Sequence, residues 1–322
     1  MLFRSREGEN LRSRGDMGGA DLPFAMLNSN KESVTLNLKT DEGKALFREM
    51  VARADVVVEN FAPGVMDRLG LGAAELQKLN PRIIYGSSSG YGKTGPYRDY
   101  PAMDSVMQAM CGVVDSTGYA DLPPVKAGAA VCDFGAGTHL YAAVVTALFE
   151  RERTGKGRVV EVSMQDAIYS SLASNYGMLH ARGDKAPPRT GNKHAGLGIA
   201  PYNAYATKDG YVVLNAPNDH HFRAVLDVIE RPDLKTDPRF LTRATRVANM
   251  AAVDELLETW SKTQMKHDVA KRMIAAGVPC AAIRTLKEVM NDENMHARGS
   301  LQWVDHPVMG RIVLPKIGRA HV

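Results

Sequence analysis

Cysteine is scarce and poorly spaced for chemistry: Cys111, Cys132 and Cys280 are the only three, and no pair forms C-x-x-C. An odd, scattered set argues against a disulfide framework and against a cysteine zinc site, and fits a reducing, cytoplasmic setting. No His/Cys/Asp/Glu cluster has metal-ligand spacing, and His194 and His220-His221 stand too isolated to count as ligands. Charge of one sign is not in excess. Forty basic residues against 36 acidic ones leave +4, too little to argue for nucleic acid or a membrane surface. No apolar run approaches the length of a bilayer span, and the N-terminus lacks the apolar core of a signal peptide. There is no G-x-S-x-G elbow. What is present is an ordinary globular balance, 44% hydrophobic and 24% charged over 322 residues, enough chain for two domains.

The two ends share a peculiarity. Leu2-Phe3-Arg4-Ser5 reads as CTC TTC CGA TCT, and Ile317-Gly318-Arg319-Ala320-His321-Val322 reads as ATC GGA AGA GCA CAC GTC. Both resemble a common sequencing-adapter sequence, in opposite orientations. The expectation is an internal fragment of a longer gene, so residues 1–5 and 317–322 are set aside from fold and site reasoning.

Between the ends, Ser33-Val34-Thr35-Leu36-Asn37-Leu38 alternates at period two and predicts a strand. Thr40 or Asp41 then caps a helix whose buried side would carry Leu46, Phe47, Met50 and Val51. Asp55-Val56-Val57-Val58 is a β-branched run without polar alternation, as expected of a parallel strand covered on both faces. Pro63-Gly64 starts a short helix to Arg68, and a second helix, Ala73–Leu79, leads to the strand Arg82-Ile83-Ile84-Tyr85-Gly86. This alternation has the rhythm of a βαβ parallel sheet. A helix is predicted over 103–114 and another over 135–153, stopped by Thr154-Gly155-Lys156-Gly157. Val159-Val160-Glu161-Val162 reads as a strand, and Ser163 caps a helix running toward His180. A Pro/Gly linker follows, then a hairpin at Asp209-Gly210, a mostly helical stretch with a short strand at 281–284, and a last strand, Gly310-Arg311-Ile312-Val313-Leu314. The domains would span 6–186, 201–300 and a return over 301–316, with the linker at 187–200.

Two turns follow strands, where parallel α/β sheets bind ligands. In Glu59-Asn60-Phe61-Ala62-Pro63-Gly64, a helix start behind Pro63 would aim N–H groups outward, with Arg68 one turn on to meet a phosphate. An Asn-capped loop with a solvated Arg68 explains the same residues. In Ser87-Ser88-Ser89-Gly90-Tyr91-Gly92, the glycines permit close backbone approach and Tyr91 can cover a planar group. The turn is read neither as a P-loop nor as a dinucleotide fingerprint, which counts against ATP and NAD sites. Asp121 sits before two prolines, where a carboxylate can attack a thioester if its loop holds it there, or can simply bond its own turn. Asp133 falls at a helix N-terminus, where an N-cap role suffices.

These residues come in a familiar order. Asn30-Lys31-x-Ser33-Val34-x-Leu36-Asn37-Leu38-Lys39, Ala54-Asp55-Val56-Val57-Val58-Glu59-Asn60-Phe61-x-Pro63-Gly64, Asn80-Pro81-Arg82-Ile83-Ile84-Tyr85 and Ser89-Gly90-Tyr91-Gly92 resemble the class III coenzyme A-transferases. Formyl-CoA transferase and carnitine CoA-transferase are members of that family. Thr154-Gly155-Lys156-Gly157, Gly191-Asn192 and Asp209-Gly210-Tyr211-Val212 continue the likeness, which covers residues 7–316. The resemblance implies an α/β fold with a Rossmann-like large domain around a parallel sheet, a smaller α+β domain, and two chains interlocked as a homodimer. It implies a CoA site at Leu36, Asn37, Leu38, Lys39, Asn60, Phe61, Ala62, Arg68, Ser89, Gly90, Tyr91 and Gly92. The family's nucleophilic Asp lies in Thr-Gly-x-x-Asp-x-Pro-Pro, which here is Thr117-Gly118-Tyr119-Ala120-Asp121-Leu122-Pro123-Pro124. A first strand and helix lining the CoA site would be missing from this chain.

By this resemblance the protein is a cytoplasmic CoA-transferase that takes a CoA thioester as substrate and a carboxylic acid as acceptor, through an aspartyl-CoA thioester on Asp121. No bound cofactor or metal is implied. Formyl-CoA transferase carries Lys where Ser89 stands, and a tetraglycine loop that His194-Ala195-Gly196-Leu197-Gly198 only partly replaces, so formate and oxalate are not the expected acids. Two alternatives stand beside this reading. One is a CoA-binding but inactive fragment. The other is the α-methylacyl-CoA racemase branch, whose Asp position is Asp133; its His is expected just before Asp104, where Ala102-Met103 stand instead.

Overall fold

The computed structural model describes residues 2–4, 8–13 and 21–316; Met1, Ser5 and 317–322, read as flanking sequence, lie outside the described residues. Leu2–Arg4 (β1), set aside above as flanking sequence, pairs in parallel with Ser33–Thr35 (β2). A free strand edge offers unpaired N–H and C=O groups to any extended backbone. The predicted strand over 33–38 is shorter than expected. The Asn37 side chain accepts the N–H of Lys39 at 3.0 Å and its carbonyl accepts that of Thr40 at 3.2 Å, a local turn that competes with pairing.

The parallel sheet has the order β3-β4-β5, built from Val56–Glu59 (β3), Ile84–Ser89 (β4) and Val159–Ser163 (β5). β4 begins later than predicted because Asn80 accepts the N–H groups of Arg82 and Ile83 and holds them in a turn. β3 is an edge strand of this sheet and is not covered on both faces: Val58 is 59% exposed. On one side a cluster of Phe47, Val51, Met66, Leu71, Leu76, Ile83 and Tyr85 is buried. The Asp41–Val51 helix is capped as expected, Thr40 accepting from Gly43, but its buried stripe is Gly43, Phe47 and Val51. Leu46 sits about 100° round the helix from Phe47 and is exposed.

The long helix Val131–Thr154 packs on β4 and β5. Gly86 permits the approach, since a Cβ there would lie 3.2 Å from Val144 and 3.4 Å from Leu140. Arg151 pins its end, with Nη2 2.9 Å from Asp55 Oδ1 and Nη1 donating to the carbonyls of Asp55 and Arg82. Gly155, at φ 70°, terminates it. By length and composition alone this helix is long and apolar enough to cross a bilayer, which corrects the expectation that no run approaches that length. It starts at Val131 rather than 135. The helix predicted over 103–114 is two, Asp104–Met110 and Val113–Ser116, broken at Gly112 with φ 83°. Ser163 caps Met164–Tyr169 as expected, after which a 3-10 turn precedes Ala173–Arg182.

The second half folds on an antiparallel sheet of Tyr202–Thr207 (β6), Gly210–Asn215 (β7) and Cys280–Ala282 (β8). Its core holds Tyr205, Leu214, Phe222, Leu226, Val253, Leu257 and Met273. A final hairpin joins Leu301–His306 (β9), which has no counterpart in the expectations, to Gly310–Pro315 (β10).

Candidate functional site

The turns after β3 and β4 lie side by side, because Glu59 is registered on Ser87. Glu59 organises this edge. Its carboxylate accepts from the Phe61 N–H at 2.9 Å, Ser87 Oγ at 2.5 Å and the Tyr85 hydroxyl at 3.3 Å, with Lys93 Nζ 3.8 Å away. Burial and the Glu59 carboxylate together hold the Tyr85 hydroxyl far above the usual phenol range. Asn60, Phe61 and Ala62 thus sit on a pinned turn, and Gly64, at φ 75°, leads into the four-residue helix Val65–Arg68. Arg68 folds over that glycine, its Nη1 2.9 Å from where a Cβ would stand. Leu36 and Leu38 pack against the same cluster as Met66. Asn37 and Lys39 alternate with these leucines ahead of the Asp41–Val51 helix. Arg68 and Lys39 are exposed and have no ion-pair partner among the described residues.

Ser89 ends β4 opposite Ser163, and its Oγ accepts the Gly92 N–H at 3.0 Å. Gly90 lies tight against Ala102 and Met107, and Gly92 takes φ 85°. Tyr91 meets Tyr97 and Tyr100 edge-on, each at 5.9 Å. Gly90, Gly92 and Gly95 do carry the G-x-G-x-x-G spacing, a correction to the reading above. No helix begins there, however; residues 93–100 are turns and bends, so the helix N-terminus that holds a pyrophosphate in dinucleotide folds is not formed.

Asp121 lies at the tip of the loop between Val113–Ser116 and Val131–Thr154. Its carboxylate is exposed and makes no hydrogen bond or ion pair among the described residues. The loop is closed by Val125 N–H donating to the Thr117 carbonyl at 3.3 Å, and Gly118 takes φ 108°. Arg189 reaches in from the connection between the two halves and bonds carbonyls on both sides of Asp121, those of Ala120 and Leu122. Gln108, fully buried, holds the far end, donating to the Ala129 carbonyl and accepting the Ala127 N–H at 2.8 Å. Ala127 and Tyr91 both pack on the cluster of Met107, Cys111, Val113, Cys132 and Ile168. The root of the Asp121 loop and the Ser89–Gly92 turn therefore share one core.

Asp133 is not an N-cap. It sits in the third position of its helix, and the cap is supplied from outside by Asp104, whose Oδ1 accepts the N–H groups of Cys132 and Asp133. Burial, then the Asp104 carboxylate, pushes the Asp133 carboxyl upward. Arg189, Gln108 and Asp104 were not legible as site residues, since the loop and helix backbone groups they hold lie 19–74 residues away in the chain. Among the described residues no group of three or more His, Cys, Asp and Glu stands ready to hold a metal ion.

The chain matches the family described as CoA-transferase family III over residues 4–320. It is 42% identical over 299 residues to the acetyl-CoA:oxalate CoA-transferase of Acetobacter aceti, covering 91% of this chain and 75% of that protein. It is 36% identical over 316 residues to the formyl-CoA:oxalate CoA-transferase of Streptomyces avermitilis, covering 91% and 74%. Its fold is similar to a crystal structure of a CAIB/BAIF family protein from Brucella suis, with TM-score 0.80, 36% identity, and coverage of 94% of this chain and 80% of that one.

Proposed function

The chain belongs to CoA-transferase family III and is a CoA-transferase, and on that premise we propose that it moves CoA from an acyl-CoA donor to a carboxylic acid through the side chain of Asp121. The observation that carries this is the state of that residue: an exposed carboxylate with no partner among the described residues, on a loop whose backbone is tied down on both sides. A nucleophile needs both the free lone pairs and the fixed position.

In the proposed cycle an Asp121 oxygen attacks the donor thioester carbonyl and CoA thiolate departs, leaving a mixed anhydride. The thiolate then attacks the aspartyl carbonyl, releasing the donor acid and forming an aspartyl-CoA thioester. The acceptor carboxylate attacks this thioester, expelling the thiolate and forming a second anhydride. Attack of the thiolate on the acceptor's acyl carbon gives the new acyl-CoA and restores Asp121. The acyl activation is conserved at each step, so no bound cofactor enters the cycle. Lys39 and Arg68, both without ion-pair partners among the described residues, face the CoA phosphates in this reading. The turns at Leu36, Asn37, Leu38, Asn60, Phe61, Ala62, Ser89, Gly90, Tyr91 and Gly92 line the nucleotide and pantetheine. Two relatives are named for oxalate, which makes it the first acceptor to try despite Ser89 and the altered 194–198 loop. We also propose a homodimer, in the interlocked form the resemblance implies. The exposed apolar side of the Val131–Thr154 helix, with Phe134, Tyr141, Val145 and Phe149, supports it.

The test is covalent trapping. Hydroxylamine added to protein incubated with an accepted acyl-CoA should leave a hydroxamate on Asp121, because an anhydride or thioester is activated and a resting carboxylate is not. Asp121→Asn should abolish transfer and leave CoA affinity nearly intact. Transfer that survives in Asp121→Asn but is lost in Asp133→Asn would overturn the assignment and favour the racemase-type residue.

A further inference from the structure

Glu59 is buried where the proposed cycle gives it no task. Its side chain is 7% exposed, on an edge strand whose parallel ladder ends at the Glu59–Ser87 pair. Asn60, Phe61 and Ala62 therefore lie past the last rung. The two carboxylate oxygens divide the work. Oε2 accepts the Phe61 N–H at 2.9 Å, inside the turn that follows β3. Oε1 accepts from Ser87 Oγ at 2.5 Å and from the Tyr85 hydroxyl at 3.3 Å, both on β4. One side chain thus ties the turn after β3 to the strand that leads into the Ser89–Gly92 turn.

The same carboxylate meets the far side of that second turn. Lys93 Nζ stands 3.8 Å from Oε1 and 5.2 Å from the centre of the Tyr85 ring, while the Lys93 N–H donates to Glu161 on β5. Gly90 is held from the same strand end, its carbonyl accepting the Gln165 N–H at 3.1 Å. Burying a carboxylate costs free energy unless donors surround it. Here they do: one N–H, two hydroxyls and, at longer range, an ammonium. Ser87 and Tyr85 are 2% and 1% exposed, so these two and Glu59 offer almost no surface to a ligand. Any effect they have on binding passes through the turns.

Resting on the reading of both turns as the CoA site, and on no particular choice of attacking carboxylate, we propose that Glu59 is a positioning residue for coenzyme A. It holds the Asn60–Ala62 turn and the Ser89–Gly92 turn at a fixed spacing before CoA arrives. A turn ordered in advance spares the ligand the conformational entropy of ordering it. The CoA moiety is gripped alike in ground and transition states, so the signature is a raised Kd and KM with kcat kept.

Calorimetry with CoA and steady-state kinetics compare Glu59→Ala, Ser87→Ala and Arg68→Ala with the parent protein. Glu59→Ala is expected to raise the Kd for CoA and the KM for acyl-CoA about tenfold, with kcat within about twofold and the KM of the acceptor acid unmoved. A merely structural carboxylate would lower the melting temperature and leave the Kd of the folded protein as it was. That result, or a loss confined to kcat, overturns the proposal. If Glu59→Ala does not fold, Ser87→Ala decides, because it removes one hydroxyl buried away from CoA. It should weaken CoA about threefold, and unchanged affinity in it overturns the proposal. In the double variant the Ser87 effect should vanish, since that hydroxyl acts through the carboxylate; additive losses overturn the proposal. Arg68→Ala separates the two readings. Affinity lost there but kept in the Glu59 and Ser87 variants removes only the positioning role, whereas affinity kept in all three removes the CoA site from these turns.

Discussion

Asp104 caps a helix to which it does not belong: its Oδ1 accepts the N–H of Cys132 at 2.9 Å across 28 residues of sequence, and its Oδ2 accepts from Gln108 at 2.7 Å. A carboxylate at a helix N-terminus satisfies free donors and complements the helix dipole. The same placement sets it beside Asp133, and the second carboxyl is pushed up by burial and by this neighbour.

Asp104→Asn keeps an acceptor oxygen and removes the charge. It should cost about 1 kcal/mol of stability, within the range for a lost cap, read from denaturant unfolding. It should also bring the Asp133 carboxyl down, followed by NMR titration. The sign is fixed by linkage: a carboxyl raised in the folded state holds its proton longer there, so stability falls as pH rises from the ordinary Asp range through the raised value. The substitution should flatten that fall.

Arg68→Ala should weaken CoA binding by about 1–3 kcal/mol, the range for a lost charge-assisted hydrogen bond, as measured by calorimetry. Unchanged affinity would move the nucleotide away from the Asn60–Arg68 turn.

Glu288 carries an acid-sensitive contact far from the site. The Thr285 N–H at 2.6 Å, then Lys266 and His267, hold its carboxyl down at about 2. A depressed carboxyl contributes stability above its ordinary range, near 4.5, and loses it as pH falls toward 2. Thermal melts of Glu288→Gln should therefore lack part of the acid destabilisation seen in the parent between those values.

Arg246 is fully buried, donating to the carbonyls of Ala200 and Phe240 and standing 2.9 Å from Asp219. Arg246→Ala strands both carbonyls and should cost about 3 kcal/mol, the low end for a broken buried pair because Asp219 reaches water. A loss under about 1 kcal/mol in urea unfolding would mean the pocket collapses or hydrates freely.

Local chemistry was legible in the sequence and distant chemistry was not. Ala73–Leu79 was read to the residue, and the caps at Thr40 and Ser163 followed from side chains three residues from their targets. The start of Val131–Thr154 was missed because its cap is Asp104, and Leu46 was misplaced because a stripe one step wide does not say where burial ends. β9 was missed because its half-buried face carries Gln302, Val304 and His306 while Trp303 is exposed, so burial alternates there without a matching apolar alternation in the sequence. Asp121 was singled out through its loop motif, but Arg189 and Gln108 hold that loop through backbone groups, which leave no trace in side-chain spacing.

The segment 189–193 is a short bridge with both piers occupied. At one end Arg189 grips the loop of Asp121. At the other Lys193 Nζ stands 3.2 Å from Asp254, whose Oδ1 takes the buried Tyr205 hydroxyl at 2.8 Å. Four peptide bonds separate these anchors, too few to absorb slack. A shift in the antiparallel half is therefore carried to the Asp121 loop, which is as steady as the second core beneath it.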